Sequence, residues 1–147
     1  MPAVPVTPAC LILPEPLRAQ ITAEARAAFP RECCGLIEGG TRAGTIAALR
    51  LHPARNLAPE PDRFEIDPAA QFRLLRAARA AGTAIIGCYH SHPGGTAAPS
   101  ARDRAGAAEE GSVWLIAAVD AAGACTIGAH RFLGDGFVAV PIAARPA

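Results

Sequence analysis

Two histidines on an extended segment, His90-Ser91-His92-Pro93, are followed by Ser100 and then Asp103. Side chains alternate along a strand with period two, so both imidazoles project to one side and can grip one metal ion. Asp103, in the first turn of the next helix, can return as a third ligand across the Gly/Pro loop from Pro93 to Pro99. Two neutral imidazoles and one carboxylate leave Zn²⁺ with an open position, where bound water reaches a pKa near about 7. Such a centre becomes hydrolytic once a general base stands beside it. Taken singly, the parts have plainer readings. A His-x-His at a strand edge is commonly incidental, and Ser100-Ala101-Arg102-Asp103 is an ordinary capping box for helix N-terminal amides. The readings are compatible, because Ser100 can cap through its backbone geometry while its hydroxyl faces a metal.

The surrounding pattern must hold these residues in place. Leu11-Ile12-Leu13 is expected as a short strand, and Pro14-Glu15-Pro16 opens a helix with Leu17, Ile21, Ala25 and Ala28 on one face, stopped by Pro30. Cys33 to Glu38 reads as a buried strand that ends at Gly39-Gly40 and pairs with Thr45 to Leu51 in a hairpin, with Glu32 at its start. Arg63-Phe64-Glu65-Ile66 is expected as a further short strand. Asp67 then caps a second helix with Pro68 in its first turn, and Gly82 ends it. Thr83 to Tyr89 is an apolar strand that delivers His90 and His92 to a loop. A short helix runs from Ser100 to about Glu110, followed by strands at Val113 to Val119 and Cys125 to Phe132. Gly134-Asp135-Gly136 makes a last hairpin with Phe137 to Ile142. About three helices and six or seven strands, mixed in order, predict an α/β or α+β layer fold with a largely antiparallel sheet.

The bulk properties narrow the chemistry. At 147 residues the chain is expected to be one domain, residues 1–147, large enough to bury roughly 70% of its unfolded surface without a disulfide or structural metal. A metal is therefore expected to be catalytic. Lys+Arg number 14 and Asp+Glu 13, for a net charge of +1, and the arginines are scattered along the chain. Neither nucleic acid nor a membrane surface is expected as partner. Five cysteines without a signal-peptide pattern argue for a reduced, cytoplasmic protein, and no apolar run approaches the roughly 18 residues of a span. Cys33, Cys34 and Cys88 read as small core thiols, and His52 and His130 as structural or exposed.

The joint pattern is more specific than its parts. His90-Ser91-His92-Pro93, the stretch to Pro99, then Ser100 and Asp103 resembles the JAMM motif of the MPN-domain zinc metalloproteases without gap or substitution. Family members place a glutamate just before a glycine-containing apolar strand, and Pro30-Arg31-Glu32-Cys33-Cys34-Gly35-Leu36-Ile37-Glu38-Gly39 fits that description. The match covers roughly residues 9 to 142, and free-standing bacterial JAMM peptidases are the nearest form. The resemblance implies a curved mixed sheet flanked by helices, similar to cytidine deaminases. It also implies one catalytic Zn²⁺ held by His90, His92 and Asp103. Glu32 would take a proton from zinc-bound water and pass it to the leaving amine, and Ser100 would steady the oxyanion.

The function so implied is hydrolysis of the peptide or isopeptide bond after the C-terminal Gly-Gly of a ubiquitin-like or sulfur-carrier protein, by a monomer or homodimer. A non-catalytic MPN-type binding scaffold and a zinc amidase acting on a small molecule are the alternatives. A His-Glu-x-x-His helix and a deaminase Pro-Cys-x-x-Cys are both missing from the sequence.

Overall fold

The computed structural model describes residues 10–146, so the Pro-rich start, expected to be loose or edge-bound, lies outside the described residues. Along the chain the elements are β1 (Leu11–Ile12), α1 (Glu15–Ala28), β2 (Cys34–Arg42), β3 (Thr45–Ala54), α2 (Pro68–Ala81) and β4 (Ala84–Pro93). They continue with α3 (Ala101–Gly106), β5 (Val113–Val119), β6 (Cys125–Phe132), β7 (Phe137–Val140) and β8 (Ile142–Ala143). All eight strands join one sheet in the order β7-β6-β5-β4-β2-β3-β1-β8.

Only Pro141 separates β7 from β8, yet the two occupy opposite edges of that sheet. The sheet therefore curls until its edges nearly meet. Pro141 has no N–H with which to extend β7. Its carbonyl instead accepts from Leu11 N at 2.8 Å, and the chain crosses to pair Ile142–Ala143 with β1. The expected mixed α/β domain with a curved sheet and three helices is what the chain forms. The sheet is more evenly mixed than expected, however. β1 is parallel to β3 and β8, and β4 to β5, against four antiparallel pairings.

Several local expectations need correction. The strand expected from Phe137 to Ile142 ends at Val140, and Ile142 belongs to β8. The strand from Cys34 runs through Gly39-Gly40, and the hairpin turns at Ala43-Gly44, where φ is 51° and 78°. Gly39 is an internal strand residue at a bulge, where a Cβ would collide with the backbone of Ala47. Arg63-Phe64-Glu65-Ile66 is not a strand, because no neighbouring strand pairs with it. The third helix stops at Gly106, short of Glu110. The cap expectations hold for α2: Asp67 Oδ1 accepts from Ala69 N at 3.0 Å, and Gly82 closes the helix with φ 78°.

The main core lies between the sheet and α1, where Ile21 and Ala25 pack with Ile37, Tyr89, Leu115 and Ala117. Central strand β5 is almost wholly buried, which accounts for its unbroken apolar sequence. Tyr89 packs over Gly35, its register partner on β2, and a Cβ at Gly35 would strike the phenol ring.

Candidate metal centre and hydrolytic site

Alternation along β4 sorts its side chains into two environments. Tyr89 and Ser91, both fully buried, face the α1 side. Tyr89 donates its hydroxyl proton to Glu24 Oε1 at 2.7 Å, and Ser91 Oγ accepts from Cys33 N at 2.8 Å. His90 and His92 project to the opposite face, toward α3 and the 55–67 segment. β4 extends to Pro93 rather than ending at Tyr89, so both histidines are fixed by sheet pairing. Cys34 is opposite His90 on β2, and Ile116 and Ala118 are opposite His90 and His92 on β5.

The donor atoms converge. Among the described residues, ligand atoms of His90, His92 and Asp103 all lie within 4.8 Å of one another. The two Nε2 atoms are 3.0 Å apart, and Asp103 Oδ2 is 3.2 Å from the first and 3.1 Å from the second. His92 Nδ1 donates to the Thr96 carbonyl at 2.8 Å, which makes its Nε2 the free lone pair. A nitrogen lone pair and a carboxylate at that distance need a proton or cation between them. The His90 Nδ1 atom is buried with no partner among the described residues. Burial holds His90 below its usual pKa. Burial also raises Asp103, but its close contacts with His90 and His92 outweigh that and keep the carboxyl well below its usual range. Two imidazoles and a carboxylate, mostly buried and aimed at one point, fit a divalent ion of the zinc type.

Asp103 reaches this position because it belongs to a complete capping box. Ser100 Oγ accepts from Asp103 N at 3.1 Å, and Asp103 Oδ2 accepts from Ser100 N at 2.9 Å. The cap and the cluster therefore use the same carboxylate. Ser100 uses its oxygen in this cap, so its hydroxyl proton remains free to donate.

Glu32 lies just ahead of β2 and is 7% exposed. Its carboxylate has no hydrogen-bond partner among the described residues, and burial pushes its pKa up to about 7, with the His92 charge pulling it back. It lines two openings. One, of about 440 Å³, also contains Asp103, Phe64, Cys88 and Trp114; the other contains His92, Ser100 and Arg102. All five residues singled out in the sequence thus border the same pair of openings or the cluster between them.

Among the neighbours, Phe64 and Asn56 carried no sequence signal for the site. Phe64 stacks on His90 with ring centroids 4.3 Å apart, and Trp114 meets the same ring edge-on at 5.7 Å. Asn56 holds the 55–67 segment in place. Its Nδ2 donates to the Glu32 and Arg63 carbonyls at 3.1 and 2.8 Å, while its Oδ1 accepts from Ala58 N and Glu65 N. These side-chain bonds replace the strand pairing that Arg63 to Ile66 lacks. His130 Nε2 donates to the Ala97 carbonyl at 2.8 Å and tethers the site loop, and His52 pairs with Glu38, so both are structural. Burial raises the Cys33 thiol to about 11 and the Cys34 thiol to about 12, which leaves both as inert core thiols.

Residues 14–130 match the family described as prokaryotic homologs of the JAB domain. A desampylase from Haloferax volcanii is 40% identical over 115 residues, 78% of this chain and 78% of that protein. A probable TtuB-protein conjugate cleaving protease from Thermus thermophilus is 37% identical over 90 residues, 60% of this chain and 55% of that protein. The solution structure of a protein from Desulfitobacterium hafniense superposes with a TM-score of 0.79 at 29% identity, covering 90% of this chain and 91% of that one.

Proposed function

The chain belongs to the prokaryotic homologs of the JAB domain, and on that premise we propose that it is a zinc peptidase or isopeptidase. Its substrate would be the bond that follows the C-terminal Gly-Gly of a ubiquitin-like or sulfur-carrier protein. Relatives named as a desampylase and a conjugate-cleaving protease support hydrolysis of such conjugates. The observation that carries the reading is Glu32: a nearly buried carboxylate, without a partner among the described residues, facing the His90/His92/Asp103 cluster.

His90, His92 and Asp103 would hold the ion. Zn²⁺ there supplies Lewis acidity that brings water within reach of deprotonation near about pH 7. Glu32 accepts the proton that water loses on attacking the scissile carbonyl. It then returns that proton to the leaving nitrogen as the C–N bond breaks. The Ser100 hydroxyl donates to the carbonyl oxygen as negative charge gathers on it. Phe64 and Trp114 close the apolar side of the His90 ring and limit water around it. They line the opening of about 440 Å³ beside the cluster, into which the carrier's C-terminal tail would reach.

The test is direct. Purified protein loaded with one equivalent of zinc should cleave a ubiquitin-like carrier fused through Gly-Gly to a reporter. A chelator should stop cleavage and added Zn²⁺ restore it. A zinc-replete protein that leaves such fusions intact, and behaves identically as Glu32→Ala, would refute the reading.

A further inference from the structure

The arginines look scattered in sequence, but helical spacing gathers three of them beside the site. On α2, Phe72, Leu75, Arg76 and Arg79 fall at i, i+3, i+4 and i+7 and form one stripe, with Arg73 at its flank. The stripe faces outward. Phe72 is 60% exposed and Leu75 41%, and all three arginines are exposed. Little of the helix is engaged in packing, since Ala78 alone on it is buried. The Arg76 guanidinium lies over the Phe72 ring, 5.9 Å from its centroid.

Two features set this face apart from an ordinary solvated helix. α2 carries no Asp or Glu, and none of its arginines makes an ion pair among the described residues. The stripe is also continuous with the opening described above, because Leu75 and Gln71 line it together with Asp103 and Glu32. An unpaired cationic row with two exposed apolar side chains complements an acidic protein surface that has an apolar centre.

Building on the hydrolytic reading, we propose that the α2 stripe docks the body of an acidic ubiquitin-like carrier, so that its C-terminal tail enters the adjoining opening. Phe72 and Leu75 supply the apolar contact. Arg73, Arg76 and Arg79 select for acidic carriers and speed encounter. A chain with a net charge of +1 and only three clustered arginines offers little to a phosphate backbone or an anionic bilayer, and a protein is the fitting occupant.

The experiment compares three substrates: ubiquitin fused through Gly-Gly to a reporter, the same fusion with surface lysines of ubiquitin replaced by glutamate, and a short Gly-Gly-linked reporter peptide. Zinc-loaded wild type should show a lower KM for the acidic fusion than for ubiquitin. The triple variant Arg73→Glu/Arg76→Glu/Arg79→Glu should raise the KM of the acidic fusion by about tenfold, with kcat and peptide hydrolysis unchanged. Arg73→Gln/Arg76→Gln/Arg79→Gln should lie between, and Phe72→Ala should raise KM without altering its salt dependence. Melting curves check that each variant is folded. Equal KM for wild type and triple variant would overturn the docking surface. So would a dimer of the protein alone that the triple variant splits, because the stripe would then be a self-interface. If wild type cleaves none of the substrates, the hydrolytic reading fails separately. Binding of fluorescently labelled acidic ubiquitin then decides the docking surface: loss of binding on charge reversal supports it, and equal binding overturns it.

Discussion

Glu32 and Glu38 bracket the apolar stretch Cys33–Ile37 at a similar 7% and 8% exposure, and burial raises both carboxyls, but only Glu38 has hydrogen bonds that outweigh it. Glu38 is fully engaged. Its Oε1 meets His52 Nε2 at 2.8 Å and lies 3.9 Å from Arg50 Nη1, and its Oε2 accepts from Thr83 Oγ1 at 2.8 Å. Hydrogen bonds from His52 and Thr83 hold its pKa below the usual range. Glu32 has no such partners, and burial drives its pKa up to about 7. A satisfied carboxylate of this kind ties strands together and stays ionised. One with no protein partner among the described residues, lining two openings beside three converging ligands, can take up and release a proton.

Four expected outcomes press on this contrast, starting with the greatest effect. His92→Ala should abolish both zinc retention after dialysis and cleavage, whereas His52→Ala, which strips Glu38 of its main partner, should keep both. Elemental analysis and a cleavage assay read the two outcomes. Phe64→Ala removes the ring stacked on His90 and should weaken zinc affinity by about 10–100-fold, as loss of groups that orient metal ligands commonly does. Competition against a chelating dye measures that change.

Glu38→Ala leaves His52 without its acceptor and Thr83 with the Ala78 carbonyl alone, and should cost about 1–3 kcal/mol, or about 2–4 °C of melting temperature per kcal/mol. Glu32→Gln should instead stabilise the chelator-treated protein. The smallest effect is the pH trend of these two differences. The lowered pKa of Glu38 means that its contribution is present above the ordinary carboxylate range and lost as pH falls through the folded value, so the gap between wild type and Glu38→Ala should close in acid. Glu32 has the opposite sign. Its ionisation opposes folding, so the advantage of Glu32→Gln should grow as pH rises from the ordinary carboxylate range through about 7, level off above that, and vanish in acid. Melting curves across pH test both slopes.

How legible each region was in the sequence follows from how local its causes are. Helix α2 could be read from Asp67, Pro68 and Gly82 because capping and φ preference act within a few residues. Period-two alternation placed His90 and His92 together for the same reason. The Gly39-Gly40 pair misled, since its glycine at the bulge is required by a backbone approach from β3 and the positive-φ turn is at Ala43-Gly44. Nothing local marks Phe64 as the cover of His90 or Asn56 as the clamp on Glu32. Both roles depend on how the 55–67 segment packs after the sheet has formed. Nor does the sequence distinguish Glu38 from Glu32 by burial, because the difference lies in His52 and Thr83 arriving from β3 and the end of α2.

The decisive measurement is the cleavage rate of Glu32→Gln at matched zinc occupancy, on the Gly-Gly carrier fusion. Loss of the proton-carrying carboxylate should lower kcat by about 10²–10⁴-fold, with zinc content and KM close to wild type. A variant that holds zinc and cleaves at the wild-type rate would contradict the assignment of Glu32 as the proton carrier of this site.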